Sequence, residues 1–253
     1  MTVNELYNIL DTAMPKTLSC SWDNDGLMLA PDGHKKINRA LVCLDVTGDV
    51  VEKAIEEGYD VILSHHPFIF SGLKCVTEGD FIARKALALI KHGISVMSFH
   101  TRLDAVEGGV NDTLASLFGL TDVEKFGKDG EEIGRVGYLP KEMELSDFAA
   151  LVKEKLSADV VTFAGRGRKV SRVAVLGGGG DDFVGEAIRA GADTYLTGTL
   201  SYHDLADADD NVINLIEAGH FFTEHPVCEV LAKTLRDMGI DTDVYNSNRI
   251  RTI

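Results

Sequence analysis

Hydrophobic positions in this chain follow two alternating rhythms. Short, nearly unbroken apolar runs stand between longer segments whose apolar residues recur at helical spacing. Thr2 and Glu5 form a capping-box pair, Leu6, Ile9 and Leu10 follow on one helical face, and Pro15 ends the run. Arg39–Asp45 has the apolar character of a strand covered on both faces. A helix over about Gly48–Glu57 stops at Gly58, and Asp60–Ser64 is the next buried strand. The same grammar predicts helix Ala83–His92, strand Ile94–Phe99 and helix Val110–Phe118. Further on it predicts strand Gly134–Leu139, helix Ser146–Leu156, strands near Val160–Phe163 and Val170–Leu176, helix Asp182–Ala190, and strands Asp193–Leu196 and Val212–Ile216. A last helix runs from about Thr223 to Met238. Strands alternating with helices of this length indicate βαβ units. The fold class expected is α/β, in two lobes with mostly parallel or mixed sheets flanked by helices.

The polar, glycine-containing segment Lys125–Glu132 is the best candidate for a junction. It divides the chain into a first lobe, 1–125, carrying His65, His66 and Asp104, and a second, 126–253, in which 212–253 returns His220 and Glu224 to a shared metal site. The halves echo each other. Ala54–Ser64 aligns with Ala187–Thr197 at a constant spacing of 133 residues, each reading helix, glycine stop, Asp, buried strand and hydroxyl residue. Such a match fits a duplication, although βαβ units share this grammar in any case.

Composition narrows the classes. With 253 residues, 45% hydrophobic and 26% charged, the chain has enough apolar material for a substantial core. No run of eighteen apolar residues suggests a membrane span. Met1-Thr-Val-Asn-Glu does not read as a secretory leader. Four scattered cysteines without a CxxC pair suit reduced thiols, and a cytoplasmic location is expected. A net charge of −15 repels phosphate backbones and argues against nucleic-acid binding. The basic cluster Arg166, Arg168, Lys169 and Arg172 reads as a solvated loop.

The chemistry gathers just past the carboxyl ends of three strands. His65-His66-Pro67 follows Asp60–Ser64, His100 and Asp104 follow Ile94–Phe99, and His220 and Glu224 follow Val212–Ile216. Ligands of parallel sheets bind at those ends, and imidazoles with carboxylates are donors for zinc, iron or manganese. On an extended backbone His65 and His66 would face opposite ways and serve two ions rather than one. Thr223 is a candidate N-cap, placing Glu224 in a helical first turn where the dipole favours a carboxylate. His34, His92 and His225 sit in polar loops or at helix ends and read as structural.

Five segments carry a family resemblance: SWDNDGL (Ser21–Leu27), LSHHP (Leu63–Pro67), HTRLDAVEGGVND (His100–Asp112), LTGTLSYHD (Leu196–Asp204) and AGHFFTE (Ala218–Glu224). With them the chain resembles the dinuclear-metal-centre hexameric protein family, whose members are labelled GTP cyclohydrolase 1 type 2 homologs. The resemblance implies a two-lobed subunit, a ring of six subunits, and two divalent cations per subunit held by His65, His66, Asp104, His220 and Glu224, with Glu224 bridging. The chain departs from the pattern at Thr199, where many relatives have an acid. His203, just beyond, could transfer a proton, sit behind a ligand, pack, or serve a surface role.

Two features stay open. Gly177–Gly180 fits neither phosphate-loop pattern and reads as a tight turn. Trp22, the single tryptophan, could flank the metal pocket, stack on a planar ring or anchor packing. The expected function is a dinuclear-metal-dependent hydrolase, with GTP or another nucleotide or phosphoester as substrate, Glu224 at its metal pair and His100 or His203 moving the proton. The alternative is a non-catalytic, ring-shaped metal-binding or scaffold protein.

Overall fold

The capping box forms at the first helix. In the computed structural model, which describes residues 1–128, 130–165, 167–251 and 253, Thr2 Oγ1 accepts from the Glu5 amide and the Glu5 carboxylate accepts from the Thr2 amide. Helix α1 (Val3–Ala13) buries Val3, Leu6 and Leu10 and ends before Pro15. The chain divides into two compact units, Met1–Leu103 with Cys228–Arg249, and Asp104–Val227 with Ile250–Ile253.

The first unit continues through β1 (Gly26–Leu29), β2 (Arg39–Cys43), α2 (Gly48–Glu56), β3 (Val61–Ser64), α3 (Phe81–Lys91) and β4 (Ser95–Ser98) to the start of α4 (Thr101–Ala105). Strands β2, β3 and β4 are parallel neighbours, and β1 pairs antiparallel with β4. Every residue of β3 and β4 is buried, as expected of strands covered on both faces. Leu41, Val50, Ala54, Ile62, Leu89 and Val96 form the centre of this unit's core.

The second unit holds α5 (Val110–Leu117), β5 (Thr121–Lys128), β6 (Glu131–Met143), α6 (Leu145–Leu156), β7 (Thr162–Ala164), β8 (Val170–Gly179), α7 (Val184–Arg189), β9 (Thr194–Thr199), α8 (Tyr202–Ala206), β10 (Asn214–Glu217) and α9 (His220–Glu224). Its sheet runs β5-β6-β8-β9-β10-β7, with β8, β9 and β10 parallel and the outer pairings antiparallel. Helix α10 (Pro226–Asp237) then leads to β11 (Asp241–Tyr245), which pairs parallel with β2 in the first unit's sheet.

The repeat read from the sequence extends to strand register. Ala40 faces Val61 across β2 and β3, and Val173 faces Thr194 across β8 and β9, the same pair shifted by 133 residues. The two aspartates do equivalent work. Asp60 accepts from the amides of Asn38 and Arg39, and Asp193 from those of Ser171 and Arg172, tying each strand start to its neighbour. Gly58 and Gly191, at φ +71° and +76°, take the left-handed turn that ends each helix.

Three expectations change. The junction anticipated at Lys125–Glu132 consists mainly of strand residues, because β5 and β6 pair as an antiparallel hairpin; Asp129 lies outside the described residues. The chain does not stay in one unit after 126, since Cys228–Arg249 belongs with the first. The last helix is split: α9 ends at Glu224, and Pro226, which has no amide hydrogen to donate, opens α10. Of the basic cluster, Lys169 pairs with Glu142 at 3.0 Å and Arg172 with Glu124 at 2.8 Å, so these two are neutralised; Arg166 lies outside the described residues.

Candidate metal centre

In the first unit, three histidines converge past the carboxyl ends of β3 and β4. One ring nitrogen from each of His65, His66 and His100 lies within 4.8 Å of those from the other two. Their ring centroids are 5.1 to 5.7 Å apart. The strand-based expectation that His65 and His66 point apart does not hold, because β3 ends at Ser64 and pleat alternation ends with it.

Each imidazole is oriented by a bond at Nδ1. His65 is fully buried and its Nδ1 lies 3.0 Å from the Phe99 carbonyl, which can only accept, so Nδ1 carries the proton. His66 Nδ1 meets Asp45 Oδ1 at 2.7 Å, and His100 Nδ1 meets Asp23 Oδ1 at 2.9 Å. A neutral ring that donates from Nδ1 has its lone pair on Nε2. This is the outer hydrogen bonding that fixes tautomer and orientation in metal-ligating histidines.

His100 sits on a strongly braced loop. Asp23 Oδ2 also accepts from the Thr101 amide and hydroxyl, at 3.0 and 2.6 Å. Burial pushes the Asp23 carboxyl up, but the bonds from His100 and Thr101 outweigh it and hold the group below the ordinary carboxylate range. Asp25 accepts from the His100 amide and from Nε of the fully buried Arg102, which also reaches Asp11 and the Met14 carbonyl. Burial raises the Asp25 carboxyl, and Arg102 with Lys16 brings it below its usual value. The sequence alone does not single out Asp23, Asp25, Asp45 or Arg102. The SWDNDGL motif was the only signal for the first two, since nothing local marks a carboxylate that reaches residues far along the chain.

In the second unit, α9 carries His220 and Glu224 four residues apart on one face, with His220 Nε2 3.1 Å from Glu224 Oε2. Glu224 is buried, and its seat is the glycine run. Gly177 to Gly179 belong to β8 rather than to a tight turn. A Cβ on Gly178, at φ +75°, would lie 2.1 Å from Glu224 Oε1, and one on Gly177 would lie 3.1 Å from Glu224 Cγ. Gly198 in β9 is equally constrained, because a Cβ there would meet the His220 Cα at 2.7 Å. These glycines let α9 lie against two strands at a distance any side chain would forbid.

Thr223 is not the N-cap; Gly219 holds that place. Thr223 lies buried inside α9, bonded back to the His220 carbonyl and accepting from the Gly178 amide at 3.0 Å. Glu224 is therefore the last residue of α9 and not in a first turn. Asp104 lies in α4, buried, and its carbonyl accepts from Asn111 Nδ2. His203 is exposed on α8, in edge contact with Tyr202. His34, His92 and His225 belong to no metal-capable group among the described residues; His92 bonds the Ala88 carbonyl and His225 stacks on Phe221.

Fold and donors together define a two-unit α/β protein with histidine clustering able to hold a metal ion. Residues 1–251 match the family model described as Duf34/NIF3 (NGG1p interacting factor 3), and the chain belongs to that family. It is 36% identical over 249 residues to a Clostridium perfringens protein named GTP cyclohydrolase 1 type 2 homolog, covering 96% of this chain and 94% of that one. A Clostridium acetobutylicum protein of the same name is 34% identical over 257 residues, covering 98% and 96%. Among solved structures, a Staphylococcus aureus protein superposes with a TM-score of 0.90 at 28% identity, covering 100% of this chain and 99% of that one. Among the described residues no helix is long and apolar enough to cross a membrane.

Proposed function

We propose that the protein is a cytoplasmic hydrolase dependent on two divalent cations per subunit, zinc, iron or manganese, acting on GTP or another nucleotide or phosphoester. In this reading His65, His66, Asp104, His220 and Glu224 hold the ions, Glu224 bridges them, and six subunits form a ring. The observation that carries it is the convergence of the His65 and His66 imidazoles, each oriented through Nδ1 by an oxygen acceptor, with the His100 ring beside them and oriented in the same way. The names of the curated relatives supply the substrate class. Cations held by these residues would supply Lewis acidity for a hydrolysis.

The chain's own residues do the rest. Asp23 fixes the His100 tautomer, so that Nε2 is the atom that accepts a proton and returns it to the leaving group. Burial of Glu224 behind Gly177 and Gly178 keeps its carboxylate in one orientation. His203, exposed on α8, is the second residue proposed to move a proton.

The test is turnover of a nucleotide and phosphoester panel by protein loaded with zinc or manganese. Glu224→Gln should abolish turnover while leaving the circular dichroism unchanged, and His66→Ala should lose about one equivalent of metal. Full activity in Glu224→Gln contradicts the proposal. Protein that holds metal but is inert across the panel supports the scaffold alternative.

A further inference from the structure

Beside the three histidines stands an aromatic pair that the fold leaves uncovered. Trp22 is 57% exposed and Phe70 52% exposed, and their ring centroids lie 6.3 Å apart. Trp22 also meets the His100 ring edge-on, with centroids 6.0 Å apart. Large aromatic surface left in water is costly, and its position against a cluster of ring nitrogens gives it a use.

The loops that carry the two rings are tied down. The loop carrying Trp22 is pinned by the Cys20 amide to Thr101 Oγ1, by the Asp23 amide to the Cys20 carbonyl, and by Asp23 to His100. Asn24 Nδ2 donates to the Ile69 carbonyl, next to Phe70, at 2.5 Å and so ties the two aromatic loops together. Phe70 also lines a cavity of about 500 Å³ with Pro67, Ser71, Leu73 and Lys74. A preordered aromatic face binds a flat ligand without paying the entropy of ordering it.

We propose that the Trp22 ring is the stacking face for a purine base, with the Phe70 ring, inclined to it at 57°, as its side wall, holding the substrate's ring beside His100 while the remainder extends over the Phe70 cavity. This rests on the hydrolase reading for the link to turnover, but stacking itself needs neither metal nor reaction. Every base has a π-face, and stacking on aromatic side chains does not depend on attracting the phosphate. In a chain with a net charge of −15 the phosphate gains no long-range attraction, so affinity has to come from the base.

Trp22 is the only tryptophan, so its emission reports this place alone. We expect guanosine monophosphate to quench that emission saturably in chelator-treated protein, and ribose 5-phosphate to leave it unchanged. Phe70→Ala should weaken the quenching constant by about tenfold. Phe163→Ala, an exposed phenyl in the second unit, should not change it. For turnover, Trp22→Ala should raise KM with kcat largely kept, and its exposure makes misfolding of the variant an ill-suited explanation.

Absence of quenching by the nucleotide, or equal quenching by ribose 5-phosphate, overturns the platform. So does blue-shifted emission that grows with protein concentration and ignores nucleotide, which assigns the pair to contact with a second copy. Quenching without turnover keeps the platform and removes the hydrolase. Turnover that is unaffected by both Trp22→Ala and Phe70→Ala keeps the hydrolase and removes the platform.

Discussion

At the scale of single residues, what matters most at the candidate site is an absence of atoms. Gly178 combines a left-handed backbone with a Glu224 oxygen 2.1 Å from where its Cβ would be. Gly178→Ala should therefore cost the 1–2 kcal/mol of a left-handed alanine, at roughly that size, and also displace Glu224. Gly239→Ala serves as the control, with φ +83° and no atom within 4 Å of its Cβ. Both variants should melt lower, but only Gly178→Ala should weaken metal binding, by at least about tenfold in a calorimetric titration. Equal affinities in the two variants would show that Glu224 does not need its glycine seat. The histidines and carboxylates were legible in the sequence because their residue types advertise their chemistry. The glycine run reads as a turn in the sequence because a glycine's effect depends on what lies opposite it, and α9 is more than forty residues further along the chain.

At the scale of elements, the paired aspartates of the repeat are the testable feature. Asp60 also carries an ion pair with Lys35 at 2.9 Å. Burial raises its carboxyl, but the Asn38 amide, Lys35 and the Arg39 amide together bring it below the ordinary value. A depressed folded-state value means stability that is present at neutral pH and lost as pH falls through the folded value. Asp60→Ala should accordingly lower Tm by about 4–8 °C at pH 7, a cost of about 2 kcal/mol for two abandoned amides. The gap to the parent protein should narrow as pH drops below about 4. Asp193→Ala should show a similar neutral-pH cost, since it strands the Ser171 and Arg172 amides. No change in Tm at pH 7 would refute the role of both. The central βαβ strands and helices were readable because burial on both faces leaves an apolar run and glycine stops each helix. β1, β5 and β11 were not: each lies at the edge of a sheet and carries too little apolar pattern to stand out.

At the scale of the whole molecule, the ring of six proposed above predicts one species in sedimentation at about six times the 27.5 kDa chain mass. A monomer at micromolar concentration would remove the ring and leave the subunit's site to act alone. Two α/β lobes were legible from the alternation of elements, but their membership was not, because the return of β11 to β2 spans about two hundred residues and no local pattern records it. That return also dictates the order in which the protein can be completed as it is made. The stretch Asp104–Val227 is contiguous and can settle once synthesised, whereas the sheet begun near the amino terminus lacks its edge strand until Tyr245 has been joined. During biosynthesis the unit that carries His65, His66 and His100 therefore waits, with one flank of β2 open, until β11 has been made.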